Sequence, residues 1–102
     1  DWVICSGQIA LQDGALLDGG VGEQVTLALS NMAGLLESQG ASLSDVAKTT
    51  VFMIDMDDYA EMNTAYIAAF GDHRPTRSAF AVAGLPVGAR VEIEAWAYVG
   101  DK

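Results

Sequence analysis

The fold is decided by residues 74–97, whose sequence is RPTRSAFAVAGLPVGARVEIEAWA. Two segments in and just beyond this stretch, Arg77 to Ala83 and Arg90 to Val99, have the composition of strands, and a short Leu-Pro-Val-Gly connection lies between them. Such a connection between strand-like segments is typical of a hairpin. We therefore predict that Arg77 lies on a strand next to one that carries two glutamates.

The second strand of this hairpin has one apolar face and one mixed face. Because side chains alternate with a period of two, the apolar row comprises Val91, Ile93, Ala95, Ala97 and Val99. The other row comprises Glu92, Glu94, Trp96 and Tyr98. Aromatic side chains anchor subunit interfaces, and carboxylates inside an interface need partners. We therefore predict a homo-oligomer whose sheets face each other, with sites at the seams.

The first part of the chain predicts a hairpin followed by a long helix. Residues 2–11, WVICSGQIAL, are strand-like, and a Gln-Asp-Gly turn at residues 12–14 leads to a short extended piece at residues 15–17. From Val21 to Gln39, apolar side chains recur with helical spacing, and Gly40 offers a C-terminal stop. This pattern predicts the first of two helices.

The middle of the chain predicts a buried strand and a second helix. Residues 47–54 are rich in Thr, Val, Phe and Ile, as buried strands are. Asp57 and Asp58 are expected to cap the helix that follows, and Gly71 to close it. Its apolar stripe comprises Tyr59, Met62, Tyr66 and Phe70.

The order of strands, helix, strand, helix and strands predicts an α+β fold with two helices packed on one face of a mixed β-sheet. The 102 residues fit a single domain, residues 1–102. Because 51% of the chain is hydrophobic and only 19% charged, surplus apolar surface again predicts an oligomer. Asp1 directly precedes an apolar run, so we expect an N-terminal segment of the domain to be missing.

The charge balance argues against whole classes of partner. The chain has 5 Lys+Arg against 14 Asp+Glu, a net charge of -9. The average field repels phosphate backbones and anionic lipid surfaces, so neither nucleic acid nor a membrane is an expected partner. Cys5 is the only cysteine, which allows no internal disulfide and favours a cytoplasmic location.

The sequence predicts no metal site. Cys5, His73 and the scattered carboxylates show none of the usual ligand spacings, and His73 is expected to be exposed in a short loop. The acidic run Asp55, Asp57 and Asp58 is interpreted as helix capping, because it lacks the alternating ligands and glycine of a calcium loop. No nucleophile-elbow, phosphate-loop or dinucleotide motif is present.

Each candidate site residue also has a purely structural interpretation. Arg77 could be a surface arginine in a weak ion pair. Glu92 and Glu94 could be exposed charges that discourage edge pairing, more so for Glu94. Ser6-Gly7-Gln8 could be a strand end and turn, and Asn63 could tie its helix to a loop.

Four stretches closely resemble the RidA (YjgF) family of enamine/imine deaminases. They are SGQI at residues 6–9, ALSNMAGLLESQGASLSDVAKTTVFMIDMDDYAEMNTAY at residues 28–66, PTRS at residues 75–78 and LPVGARVEIEAWA at residues 85–97. The resemblance runs nearly end to end. It implies a fold like that of the small chorismate mutases, a homotrimer with clefts between subunits, and hydrolysis of 2-imino acids to 2-keto acids and ammonia.

The resemblance also implies roles for particular residues. Arg77 matches the arginine that clamps the substrate carboxylate, and Glu92 matches the glutamate that orients the attacking water. The remaining matches are main-chain groups around Ser78 and Ala79 beside the arginine, and the cleft-lining or supporting residues Ser6, Gly7 and Asn63. The family needs no cofactor for this reaction.

The chain departs from the family pattern at three places, of which the last changes the cleft wall. This chain starts after an N-terminal tyrosine that many members carry, Ala79 stands where well-studied members often have cysteine, and the connection from Phe70 to Arg77 looks shorter. Three hypotheses therefore stay open: an imine deaminase, a non-catalytic trimer that binds small carboxylates, and an endoribonuclease. The charge of -9 weighs against the last, because an RNA site needs a basic track.

Overall fold

The computed structural model describes residues 1–100, in which six strands and two helices form. In chain order they are β1 (Trp2–Gln8), β2 (Leu11–Gln12), β3 (Ala15–Leu16), α1 (Val21–Ser38), β4 (Val46–Met53), α2 (Tyr59–Phe70), β5 (Thr76–Ala81) and β6 (Val91–Tyr98). Single 3₁₀ turns lie at Leu43–Asp45 and Met56–Asp58, and Pro86–Gly88 forms a turn with non-helical backbone angles at Val87.

Four strands form a mixed sheet in the order β1-β6-β4-β5. β6 runs antiparallel to both β1 and β4, whereas β4 and β5 are parallel. Both helices pack on the face that carries the apolar row of β6, whose five predicted members are buried or half-buried. The predicted α+β class, with two helices on one face of a mixed sheet, is confirmed.

The predicted hairpin of β5 and β6 is wrong. β4 lies between them, so the Leu-Pro-Val-Gly connection joins strands that are not neighbours. A parallel pair needs a long crossover, and α2 provides it between β4 and β5. β6 therefore pairs with the other edge of β4. The sequence of the short connection alone does not indicate that a third strand lies between β5 and β6.

The predicted N-terminal hairpin is confirmed only in part. β2 and β3 pair across a turn at Asp13 and Gly14, where φ is 53° and 81°. β1, however, pairs with β6 through a bulge between Cys5 and Gln8. The bulge places Ser6 and Gly7 at an irregular point of the sheet edge, where a strand can redirect side chains.

The second helix begins differently from the prediction. Asp55, and not Asp57 or Asp58, supplies a capping side chain: its Oδ1 accepts a hydrogen bond from the Asp57 amide at 2.9 Å. Asp58 is the N-cap of α2 but makes no side-chain capping bond there. Tyr59 is 36% exposed and so lies outside the buried stripe, whose remaining members are Met62, Tyr66 and Phe70.

The face of the sheet opposite the helices carries several exposed large side chains. They are Trp2, Ile4, Phe80, Trp96 and Tyr98. The Trp2 ring contacts the rings of Trp96 and Tyr98 edge-on, with centroids 5.9 and 5.2 Å apart. An open sheet face this rich in aromatics is typical of a protein interface.

Val87 is strained in the connection before β6. Its φ of 49° lies in the left-handed region, which is costly for a β-branched residue, and its side chain is 70% exposed. We expect Val87→Asn to raise the free energy of unfolding by about 1 kcal/mol, because asparagine tolerates this conformation. Thermal unfolding checks this. Val87→Ala, which keeps a Cβ but removes the branch, should gain less, and an unchanged Tm for the asparagine variant would contradict the assignment of strain.

Candidate active site

The guanidinium of Arg77 is held by side chains of helix α2. Arg77 lies in register with Thr49 of β4, so it shares the helix-covered face of the sheet at its outer edge. Nη1 donates to Asn63 Oδ1 at 2.7 Å, and Nη2 donates to the Tyr59 hydroxyl at 2.6 Å. Tyr59 and Asn63 are four residues apart and therefore lie one above the other on α2. One helix face thus holds both terminal nitrogens of the guanidinium.

An aromatic ring supports the same guanidinium from the core. Arg77 Cζ lies 4.7 Å from the centroid of the Tyr66 ring, within the range of a cation–π contact. The Tyr66 hydroxyl and Thr49 Oγ1 share a buried hydrogen bond of 2.7 Å. Burial raises the pKa of Tyr66, the largest of several effects on it, so the phenol stays neutral at physiological pH. The neutral Tyr66 ring, fixed by this hydrogen bond, gives the guanidinium of Arg77 a rigid surface to pack against.

The charge of Arg77 is not balanced by a carboxylate within residues 1–100, where the ion pair found joins Arg90 Nη2 to Asp58 Oδ2 at 3.6 Å. A guanidinium has five N–H donors, and Asn63 and Tyr59 accept from only two of its nitrogens. The remaining N–H groups of the half-buried side chain can meet an external anion. A bidentate carboxylate fits this donor arrangement.

Glu92 lies in a different environment, over the irregular edge of β1. Its side chain covers Gly7: a Cβ built on that glycine would stand 1.9 Å from Glu92 Oε2. Only glycine therefore leaves room for the carboxylate in this position. Glu92 pairs in register with Phe52 and is half-buried, on the open face of the sheet.

The other sequence-predicted residues divide between these two places. Ser6 is exposed beside Gly7, and its carbonyl accepts a hydrogen bond from Gln8 Nε2 at 3.0 Å. Ser78 and Ala79 follow Arg77 on β5, Ser78 exposed and Ala79 half-buried against the core. The structure thus groups one set around Arg77 and a second set around Glu92.

Within one chain these two sets do not meet. β6 lies two strands away from β5, and the register offsets Glu92 from Arg77 by three residues along the strands. Standard sheet spacings then put their Cα atoms about 14 Å apart, with the side chains on opposite faces. The prediction that Arg77 lies on a strand next to the one that carries the glutamates is therefore wrong, because β4 separates β5 from β6. The two sets therefore lie on opposite faces of the sheet.

Sequence reasoning missed three members of the arginine environment. The sequence pattern places Tyr59 and Tyr66 on an apolar stripe and Thr49 on a buried strand, although a hydroxyl at such a position needs a hydrogen-bond partner. His73 was expected to be exposed and incidental, but it is half-buried and its Nε2 lies 2.6 Å from the Val46 carbonyl oxygen. It links the loop before β5 to the start of β4.

No cluster of three His, Cys, Asp or Glu side chains suited to a metal ion is found in the described residues. Cys5 is buried, and burial raises the pKa of its thiol, which keeps it in the unreactive protonated form. Neither α1 nor α2, the helices of the described part, is long and apolar enough to cross a membrane.

The sequence model of a protein family described as endoribonuclease L-PSP matches residues 1–99. The chain belongs to this family. It is the family also called RidA or YjgF, so the resemblance inferred from the sequence is confirmed.

Relatives within the family include proteins with named activities. The chain is 41% identical over 100 residues to the human 2-iminobutanoate/2-iminopropanoate deaminase, covering 96% of this chain and 73% of that one. Protein mmf1 of Schizosaccharomyces pombe, named as mitochondrial, is 38% identical over 95 residues, covering 90% and 59%. Among solved structures, Escherichia coli TdcF with bound serine has a TM-score of 0.91 at 38% identity, covering 97% of this chain and 81% of TdcF.

Proposed function

We propose that the protein hydrolyses 2-imino acids, and their enamine tautomers, to 2-keto acids and ammonia. The observation that carries this proposal is the half-buried Arg77, held at both terminal nitrogens and not neutralised by a carboxylate of the described residues. Such a group selects a small anion with a planar carboxylate. The deaminase activity named for relatives at about 40% identity supports the same substrate class.

The proposed reaction makes modest demands on the protein. The carboxylate of the protonated imine binds Arg77, which fixes C2, the electrophilic carbon. Glu92 orients a water and accepts its proton as the new C–O bond forms. Protonated Glu92 returns this proton to the amino nitrogen of the tetrahedral intermediate. The C–N bond then breaks as the hydroxyl on C2 gives its proton to Glu92, and ammonia leaves with the 2-keto acid and takes up that proton in solution. Water is the only co-reactant, and no cofactor is required.

The proposal requires two protomers for each site. A contact that joins the Arg77 side of one sheet to the Glu92 side of the next uses two different surfaces. Such head-to-tail contacts form a ring when the rotation between protomers closes. We propose a homotrimer of this kind, in which the exposed aromatics of the open sheet face become buried. Ser6 and Gly7 would then approach the cleft from the Glu92 side, and Ser78 and Ala79 would present main-chain groups from the Arg77 side.

The proposed partners are small carboxylates and copies of the chain itself. Nucleic acid is not among them, although the family's description names an endoribonuclease. The cations of residues 1–100 are Lys48, Arg74, Arg77 and Arg90, which are too few for a basic track against a net charge of -9. We propose a cytoplasmic location from the cysteine content; a mitochondrial relative shows that members of the family also occur elsewhere.

An ammonia-release assay tests this function. 2-Iminobutanoate is generated in the cuvette by a dehydratase acting on threonine, and we expect the protein to accelerate ammonia release above the spontaneous rate. Binding of 2-oxobutanoate, the keto-acid product, is measured in parallel. Binding without acceleration would favour the non-catalytic carboxylate-binding trimer. Cleavage of RNA, retained when Arg77 is replaced by alanine, would overturn the small-acid site altogether.

A further inference from the structure

Tyr59 makes a contact that its place in the sequence pattern does not explain. The residue begins helix α2, and its hydroxyl accepts a hydrogen bond from Arg77 Nη2 at 2.6 Å. The ring is farther from the guanidinium than the Tyr66 ring, with 5.5 Å from Arg77 Cζ to the Tyr59 centroid against 4.7 Å for Tyr66. The hydroxyl, more than the ring, is therefore the group that acts on Arg77.

The contact matters because a guanidinium on one support can still turn. Asn63 Oδ1 fixes Nη1 alone, at 2.7 Å, and the stacked Tyr66 ring restricts tilt but not rotation in the plane of the guanidinium. A second acceptor on Nη2 sets that in-plane rotation. Asn63 Oδ1 and the Tyr59 hydroxyl together then set the direction of the remaining N–H groups. That direction decides whether a carboxylate can bind through both of its oxygens.

The environment of Tyr59 fits a role at a ligand site. The side chain is 36% exposed, so it contributes little to the core. An accepting hydroxyl keeps its own hydrogen for donation, and within the described part of the chain no hydrogen bond uses that hydrogen. The guanidinium of Arg77 thus has one hydroxyl donor beside it, that of Tyr59, which is open to water or to a bound molecule.

We propose that Tyr59 is a positioning residue that orients Arg77 for two-point binding of the substrate carboxylate. This inference rests on the proposed function, since it assigns the acid to Arg77. Tyr59 acts on the affinity for the acid and not on the attack of water, which belongs to the Glu92 half of the site. Its loss raises KM and leaves kcat nearly unchanged.

Tyr59→Phe is the test, because it removes the hydroxyl and keeps the ring. We expect KM for 2-iminobutanoate and the Kd for 2-oxobutanoate to rise about tenfold, the effect of weakening one charge-assisted contact, with kcat within about twofold. The Tm should be unchanged within error. Thr64→Val is the matched control: it removes a hydroxyl from the exposed face of the same helix, where Oγ1 donates to the Ala60 carbonyl and not to Arg77, and should leave KM and Kd unchanged.

The outcomes separate this inference from the proposed function. Unchanged KM and Kd in Tyr59→Phe, or a fall in kcat at constant KM, would overturn the role of Tyr59 and leave the deaminase proposal standing. If the wild type binds 2-oxobutanoate but releases no ammonia, the deaminase proposal fails, and the Kd of Tyr59→Phe alone decides the positioning role. If the wild type binds no keto acid, both are overturned.

Discussion

Replacing Arg77 with alanine is expected to lower kcat/KM for 2-iminobutanoate by roughly a hundred- to a thousand-fold. The variant loses the positive charge and the hydrogen bonds that the guanidinium donates to the two carboxylate oxygens. Together these contribute about 3 to 4 kcal/mol. Most of the loss should come from weaker binding of the acid, so the Kd for 2-oxobutanoate, measured by calorimetry, should rise in parallel. Saturation kinetics separate the effect on KM, which reflects binding, from the effect on kcat.

Arg77→Lys distinguishes the effect of the planar guanidinium geometry from the effect of the positive charge alone. Lysine keeps the charge but cannot donate to Asn63 and Tyr59 while offering a planar pair of N–H groups to a carboxylate. We expect its kcat/KM to stay roughly tenfold or more below that of the wild type. A lysine variant with wild-type kcat/KM would show that the orientation of the guanidinium is irrelevant.

Arg74→Ala is the matched control for both variants. Arg74 is exposed three residues away, and its Nη1 donates to the main-chain carbonyls of Gly71 and His73 within its own loop. We expect its kcat/KM to stay within about twofold of the wild type. An equal loss in Arg74→Ala and Arg77→Ala would mean that the net charge, and not the Arg77 site, governs the rate.

The fold follows from the sequence wherever one element shows its own periodicity. The alternation of β6 places Val91 and Ile93 in the core and the half-buried Glu92 on the opposite face, as predicted, because one face of a strand must be buried. The order of strands could not be obtained in the same way. β5 pairs with β4, to which α2 connects it, and the residues of the short connection before β6 do not indicate this non-local pairing.

The site could be predicted only where a residue has a single chemical meaning. Arg77 and Asn63 carry groups that rarely lie in a core without partners, and the structure joins them. Tyr59 fits an apolar stripe as well as a hydrogen-bonded site, because its ring and hydroxyl suit different surroundings. Helical spacing indicates where the apolar ring of Tyr59 packs but not what its hydroxyl contacts. The position of Glu92 relative to Arg77 depends on strand order, and the hairpin predicted from the sequence gives the wrong order.

Glu92→Gln is expected to lower kcat by roughly a hundred- to a thousand-fold while KM changes little. Glutamine keeps the shape of the side chain over Gly7 but cannot accept the proton of the attacking water. Stopped assays with excess substrate measure kcat directly. Glu94→Gln, on the same strand and the same open face, is the matched control and should retain a kcat within about twofold of the wild type.

Mixing two inactive variants tests whether each site draws on two protomers. Arg77→Ala retains Glu92, and Glu92→Gln retains Arg77, so a head-to-tail ring of mixed composition contains some seams where both groups are intact. With equal amounts and random assembly, half of the protomers supply Arg77 and half of their neighbours supply Glu92, so about one quarter of the seams are restored.

Co-refolding the two variants should therefore recover about a quarter of the wild-type activity, far above either variant alone. A site built within one chain would recover none, because every protomer in the mixture lacks one of the two groups. Recovery must also depend on subunit exchange: mixing without unfolding should restore activity only as fast as protomers exchange. This expectation follows from the sheet, in which Arg77 and Glu92 lie on opposite faces of strands that are not neighbours.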